Sequence, residues 1–150
     1  MKLFVGAKGV VVRDGKILLL RESTKYADGT ETGKWDVPGG RIRPEETVFE
    51  GLMREVKEES GLSVRPIGLP IGVFDGFPEI RGEKCHVVRV YFICEPENGE
   101  VVLSDDHDAF AWILLEERGE YDLVGDLEKV LSTYGGQFRT WQGVNVNQSH

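Results

Sequence analysis

The chain has 150 residues, 40% hydrophobic and 29% charged, the size and composition of one globular domain with enough length to bury a core. Its formal net charge of −8 opposes broad electrostatic capture of nucleic acid, so a DNA- or RNA-coating role is excluded. No apolar run approaches the roughly 20 residues that span a bilayer, and no cleavage site follows the mildly apolar N-terminus, so neither membrane insertion nor a leader is expected.

In chain order, a Val-rich strand is predicted over Val5–Val12 and a second over Lys16–Leu20, with Asp14-Gly15 between them as the chemistry of a tight hairpin turn. Residues 23–33 are polar and irregular and predict a loop. Residues 34–37 predict a short strand, stopped by Pro38-Gly39-Gly40. Thr47, with Glu50 three residues later, makes a capping box, and Gly61 is a natural stop. A helix is therefore predicted over Thr47–Ser60. Strands are expected over Leu62–Phe74 and His86–Cys94, joined through Gly76-Phe77-Pro78, and over Ala109–Leu115 after the acidic run Asp105-Asp106-His107-Asp108. Leu123, Leu127, Val130, Leu131 and Tyr134 recur at helical spacing and predict a second helix. Cys85 and Cys94 match no zinc or redox spacing and read as reduced thiols of a cytoplasmic protein.

The chemistry concentrates on the first helix. At about 100° per residue Val48, Phe49, Leu52 and Val56 form one apolar stripe, and Glu55 and Glu59 enter its edge, with Glu58 on its flank. Desolvated carboxylates are costly unless paired or metal-bound. Oxygens at i, i+3 and i+4 are expected to converge on a hard divalent cation, with Gly51 leaving room for it. The competing reading is a solvated acidic face.

The residues around the helix decide between the two. Gly40, five residues, Glu46, seven residues, then Arg54-Glu55-Val56-Lys57-Glu58-Glu59-Ser60-Gly61-Leu62 matches every position of the Nudix box, a coincidence on the order of once per billion random starts. The lead-in Trp35-Asp36-Val37-Pro38-Gly39-Gly40 resembles the family's approach to that box.

The resemblance implies an α/β fold, an α/β/α sandwich around a central mixed β-sheet, spanning residues 1–150 as one Nudix hydrolase domain with the tail from about 135 unassigned. It implies Mg²⁺, with Mn²⁺ as a substitute, held by Glu58 and Glu59, with Glu55 as ligand or general base and the Gly39 carbonyl as backbone ligand. Arg54 and Glu46 would orient the carboxylates. Relatives add one acidic residue from a downstream loop, often Glu. Here only Asp105, Asp106 and Asp108 stand in that region, with Asp105 and Asp108 taken as metal candidates. The expected partner is a small nucleotide whose diphosphate linkage is hydrolysed, with neither nucleic acid nor membrane, and a homodimer is left open.

Substrate markers are thin. Pro78 lies 16 residues after the box, where several ADP-ribose hydrolases of the family carry proline, and it could hold Phe77 against the substrate. Trp35 is a second candidate for substrate contact. The SQPWPFP array of the NADH-cleaving group is absent, and no tyrosine like that of the dinucleoside-polyphosphate group stands near Pro78. ADP-ribose therefore leads, with a nucleoside triphosphate as the alternative and a non-catalytic nucleotide sensor as a third reading.

Overall fold

The computed structural model describes residues 1–23 and 32–133. Most of the residue 23–33 loop and everything from Tyr134 onward, including the last position of the predicted second helix, lie outside that range.

Strands β1 (Lys2–Arg13) and β2 (Lys16–Glu22) form the expected hairpin. Its turn places Asp14 and Gly15 at φ of 51° and 78°, the left-handed pair that lets a two-residue turn follow the strands' twist. β3 (Trp35–Asp36) and β4 (Gly39–Arg41) follow, so the Gly-Gly pair expected to stop a strand instead forms one. Helix α1 (Val48–Ser60) carries the capping box between Thr47 and Glu50 and ends on Gly61 at φ 76°. Then come β5 (Val64–Gly76), β6 (Glu79–Ile80), β7 (Glu83–Pro96) and β8 (His107–Ile113). A 3-10 turn over Leu115–Glu120 leads to a second helix, α2, described over residues 125–133.

The sheet is mixed. β1 lies between β4, antiparallel to it, and β7, parallel to it from Lys2↔Cys85 to Val11↔Cys94. β5 closes the far side against β7, and β2 carries β3 and β8. The apolar run Ile17-Leu18-Leu19-Leu20 does not alternate because both faces of β2 are covered. Ile17 and Leu19 join Val10, Tyr91 and Ile93 under Leu127, Val130 and Leu131 of α2. Leu18 and Leu20 join Ala7, Val11, Phe92 and Cys94 under Leu52 and Val56 of α1. Helices thus cover the two faces, giving the expected three-layer α/β architecture. Among the described residues no helix is long and apolar enough to cross a membrane.

Gly51 corrects one expectation. It leaves no room for a cation, because a Cβ there would run into Ile42 and come within 3.2 Å of Glu46 Oε1. Gly51→Ala should therefore destabilise the fold by about 1–3 kcal/mol through overpacking, although alanine is the better helix former. A thermal or urea unfolding curve checks the sign, and a stabilised variant would mean that Ile42 moves freely.

Candidate active site

A cleft of about 780 Å³ opens where β1, β4 and β7 meet the C-terminal half of α1 and the start of β8. Strand alternation builds its floor: Phe4, Gly6 and Lys8 on β1 lie beside Val87 and Arg89 on β7, all on one face. Glu55, Glu58 and Glu59 line its acidic end.

Two glycines bring the helix to the sheet. Gly39 stands at φ 140°, and any side chain there would collide with the Ala7 carbonyl. Its N–H donates to Glu59 Oε1 at 2.7 Å, joining α1 to β4. Gly40 lies so close to the helix that a Cβ would sit 2.7 Å from Glu55 Oε2.

Arg54 is the hub of the acidic end. Its Nε and Nη2 bond the two oxygens of Glu46, Nη2 also donates to the Arg41 carbonyl, and Nη1 donates to Glu55 at 3.0 Å and Glu58 at 3.2 Å. Glu46 in turn accepts the Arg43 N–H at 2.8 Å. The Arg54 hydrogen bonds, followed by that backbone bond, hold the Glu46 carboxyl down to about 2, and Glu46 holds the guanidinium above its ordinary range. Because Arg54 draws Glu55 and Glu58 towards itself, the three helix carboxylates do not converge on one point as spacing predicted. Among the described residues no three His, Cys, Asp or Glu side chains close into a ready metal cage.

Glu59 is set apart. Burial pushes its carboxyl up to about 7 despite the Lys8 cation and the Gly39 hydrogen bond. Lys8 sits opposite it and pairs with Asp36 at 3.0 Å. Burial alone would lower the Lys8 ammonium, but Asp36 and Glu59 outweigh it and its pKa stands raised. His107 completes this corner, with Nε2 3.9 Å from Glu59 Oε2 and a buried Nδ1 that has no hydrogen-bond partner among the described residues. Burial, helped by Lys8, pushes the imidazole below its usual range.

The donor set suits a hard divalent cation. Glu55, Glu58 and Glu59 offer oxygens only, and the buried Glu59 carboxyl retains a demand for positive charge that the protein does not meet.

Several expected site residues stand elsewhere. Asp105 is exposed and outside the cleft lining, and Asp108 is taken up by Arg21 at 2.7 Å. Asp106 lines the cleft instead, fixed through its carbonyl to the Ser23 N–H. Phe77 does not wall the cleft: it is 58% exposed and stacks on His86 at 4.6 Å, on the opposite face of the sheet, while Pro78 lines the cleft. Trp35 packs edge-on against Tyr121 within the α2-side core, and the neighbouring Asp36 faces the cleft. Sequence reasoning missed Lys8, Asp36 and Arg89 and assigned His107 no part in the site. A lysine inside the apolar run Val5–Val12 was the available signal, since a buried ammonium needs a partner.

Because Glu46 titrates lower in the folded chain than its ordinary 4.5, it adds stability above that pH, and the contribution is lost as pH falls towards about 2. The urea midpoint of the wild type should drop through this window. Arg54→Met should be weaker at neutral pH and flatter in acid, and a parallel pair of curves would refute the hub assignment.

Comparison with known proteins agrees with the geometry. Residues 3–134 match the model of the NUDIX domain family. The chain is 28% identical over 132 residues to the nucleoside triphosphatase NudI of Klebsiella pneumoniae, covering 84% of this chain and 92% of that one. It is 32% identical over 130 residues to an ADP-ribose pyrophosphatase of Methanocaldococcus jannaschii, covering 87% and 72%. The solved MutT protein of Methanosarcina mazei superimposes with a TM-score of 0.76 at 28% identity, covering 91% and 95%. The chain belongs to the Nudix family and is a pyrophosphohydrolase that acts on nucleotide derivatives.

Proposed function

We propose that this enzyme hydrolyses nucleoside triphosphates to a nucleoside monophosphate and pyrophosphate, with Mg²⁺ as the cofactor and Mn²⁺ as a substitute. One observation carries the reading. One cleft gathers Lys2, Lys8, Lys34, Arg41, Arg81 and Arg89 together with Glu22, Asp36, Glu55, Glu58, Glu59, Glu83 and Asp106, so cations for phosphate oxygens stand beside carboxylates that suit a metal. A triphosphate offers those cations and a carboxylate-held metal more phosphate oxygens than the diphosphate of ADP-ribose does. The ADP-ribose expectation rested on Pro78 holding Phe77 against the substrate; Pro78 lines the cleft, but the Phe77 ring lies on the other face. The second reading keeps some support, because Pro78 lines the cleft and the M. jannaschii relative is an ADP-ribose pyrophosphatase.

In this proposal Glu55, Glu58 and Glu59, with the Gly39 carbonyl, hold the metal, and Asp106 takes the place expected of Asp105 or Asp108. The bound cation supplies charge neutralisation at the phosphate oxygens and acidifies a water. The chain supplies the positions. Gly39 fixes one Glu59 oxygen, Arg54 fixes one Glu55 oxygen, and the other Glu55 oxygen faces Gly40, placed to accept a proton from the attacking water. Arg54 and Glu46 act by orienting these groups. With both cysteines buried and free, the enzyme is assigned to the cytoplasm.

Glu59→Gln should lower kcat on the order of a hundredfold or more while leaving the fold intact, and EDTA should silence the wild type until Mg²⁺ is restored. A Gln variant that turns over normally at limiting Mg²⁺ would remove Glu59 from the site. Substrate choice is settled by kcat/KM side by side with Mg²⁺. Triphosphates should exceed ADP-ribose by about tenfold or more, and the reverse order would establish the second reading.

A further inference from the structure

Lys8 stands where packing alone would place an apolar residue. On β1 it continues the row of Val10 and Val12, which belong to the core beneath α2, and its side chain is only 13% exposed. Lysine is rare at such positions unless its charge is paired or used. The fold fixes it closely. Its backbone lies between Gly39 of β4 and Tyr91 of β7. Its Nζ pairs with Asp36 Oδ2 at 3.0 Å, and the other Asp36 oxygen accepts the Val37 N–H at 2.8 Å, which keeps that carboxylate from swinging away. An ammonium carries three donors, of which Asp36 takes one. The space beside the others is the cleft that Lys8 lines with Glu55, Glu58 and Glu59. Of the charges around the buried Glu59 carboxyl, Lys8 acts on it most strongly.

We propose that Lys8 is a catalytic residue, a fixed cation that donates to a non-bridging oxygen of the phosphoryl group under attack. This rests on the reading of Glu59 as a metal ligand, which sets the attacked phosphorus beside both residues. The attacking water forms its bond to phosphorus and passes a proton to Glu55. The bridging P–O bond breaks, and the leaving phosphate takes the electron pair. Lys8 keeps its proton throughout. It meets the charge on the phosphoryl oxygens from a position Asp36 has already set, so no reorganisation is needed during the reaction.

Lys8 and a divalent cation also share Glu59. Removing the ammonium takes one positive charge from the site and leaves Asp36 uncompensated, so metal binding should tighten while turnover falls. A lysine that only braced β1 against β3 would give the opposite result, because its loss would loosen the site and weaken both.

Lys8→Met should lower kcat at saturating Mg²⁺ on the order of a hundredfold. Mn²⁺ binding to the nucleotide-free protein, followed by electron paramagnetic resonance, should tighten several-fold in the same variant. Because that variant leaves Asp36 without its cation, Lys8→Met is also combined with Asp36→Asn, which removes both charges. The double variant should fold by circular dichroism, keep the loss of kcat and bind Mn²⁺ closer to the wild type. Wild-type kcat in the folded double variant overturns the proposal, and so does a folded Lys8→Met that binds Mn²⁺ more weakly than the wild type. Glu59→Gln keeps the two readings apart. If it binds Mn²⁺ like the wild type, the metal assignment fails and the proposal with it. If it loses the metal while Lys8→Met keeps its rate, the metal assignment stands and Lys8 is not catalytic.

Discussion

The site depends on how closely α1 approaches the sheet at Gly39. Three elements meet there: β1 at the Ala7 and Lys8 backbone, β4 at Gly39 itself, and α1 through the Glu59 side-chain carboxylate. Only glycine can hold that φ against the Ala7 carbonyl, and only at that distance can its N–H reach Glu59. With a side chain there, the helix would stand away from β4 and the cleft would lose its acidic wall.

Charge in the molecule is organised in two shells that oppose its overall sign. Arg54 satisfies Glu46 completely and Glu55 and Glu58 in part, so the outer carboxylates are held in place by a cation that does not face the substrate. Lys8 and Arg89 sit on the cleft floor, each tied to an aspartate, Asp36 and Asp126. These pairs allow positive groups to stand beside Glu59 without neutralising it. The acidic protein can thereby accept an anionic substrate at one cleft while the rest of its surface repels polyanions.

Local signals were legible in the sequence because they need only neighbouring residues. The Thr47 capping box, the Gly61 stop and the Asp14-Gly15 turn all form as read, and the helix carboxylates do line a cleft. What could not be read depends on register between distant strands. Lys8 becomes a site residue only because β4 and β3 bring Gly39 and Asp36 to it. Phe77 and Pro78 are adjacent in sequence, yet strand alternation sends them to opposite faces, a choice fixed by the pairing of Gly76 with Val87. Trp35 was drawn into the core by Tyr121, some 86 residues later, and Gly51 serves Ile42, which nothing in the helix itself announces.

The parallel pairing of β1 with β7 has a consequence for how the enzyme comes into being. Lys2 meets Cys85, so the floor of the cleft closes a loop of more than half the chain. Such closure is slow compared with a helix or a hairpin, which form from neighbouring residues. On the ribosome, β1, the β1–β2 hairpin and α1 are synthesised long before β7 exists, and until it emerges the long edge of β1 lacks its parallel partner. The glutamates can therefore sit on a formed helix while no cleft exists around them, and catalytic competence arrives late, after the synthesis of residues 83–96 and of Asp106 and His107 behind them.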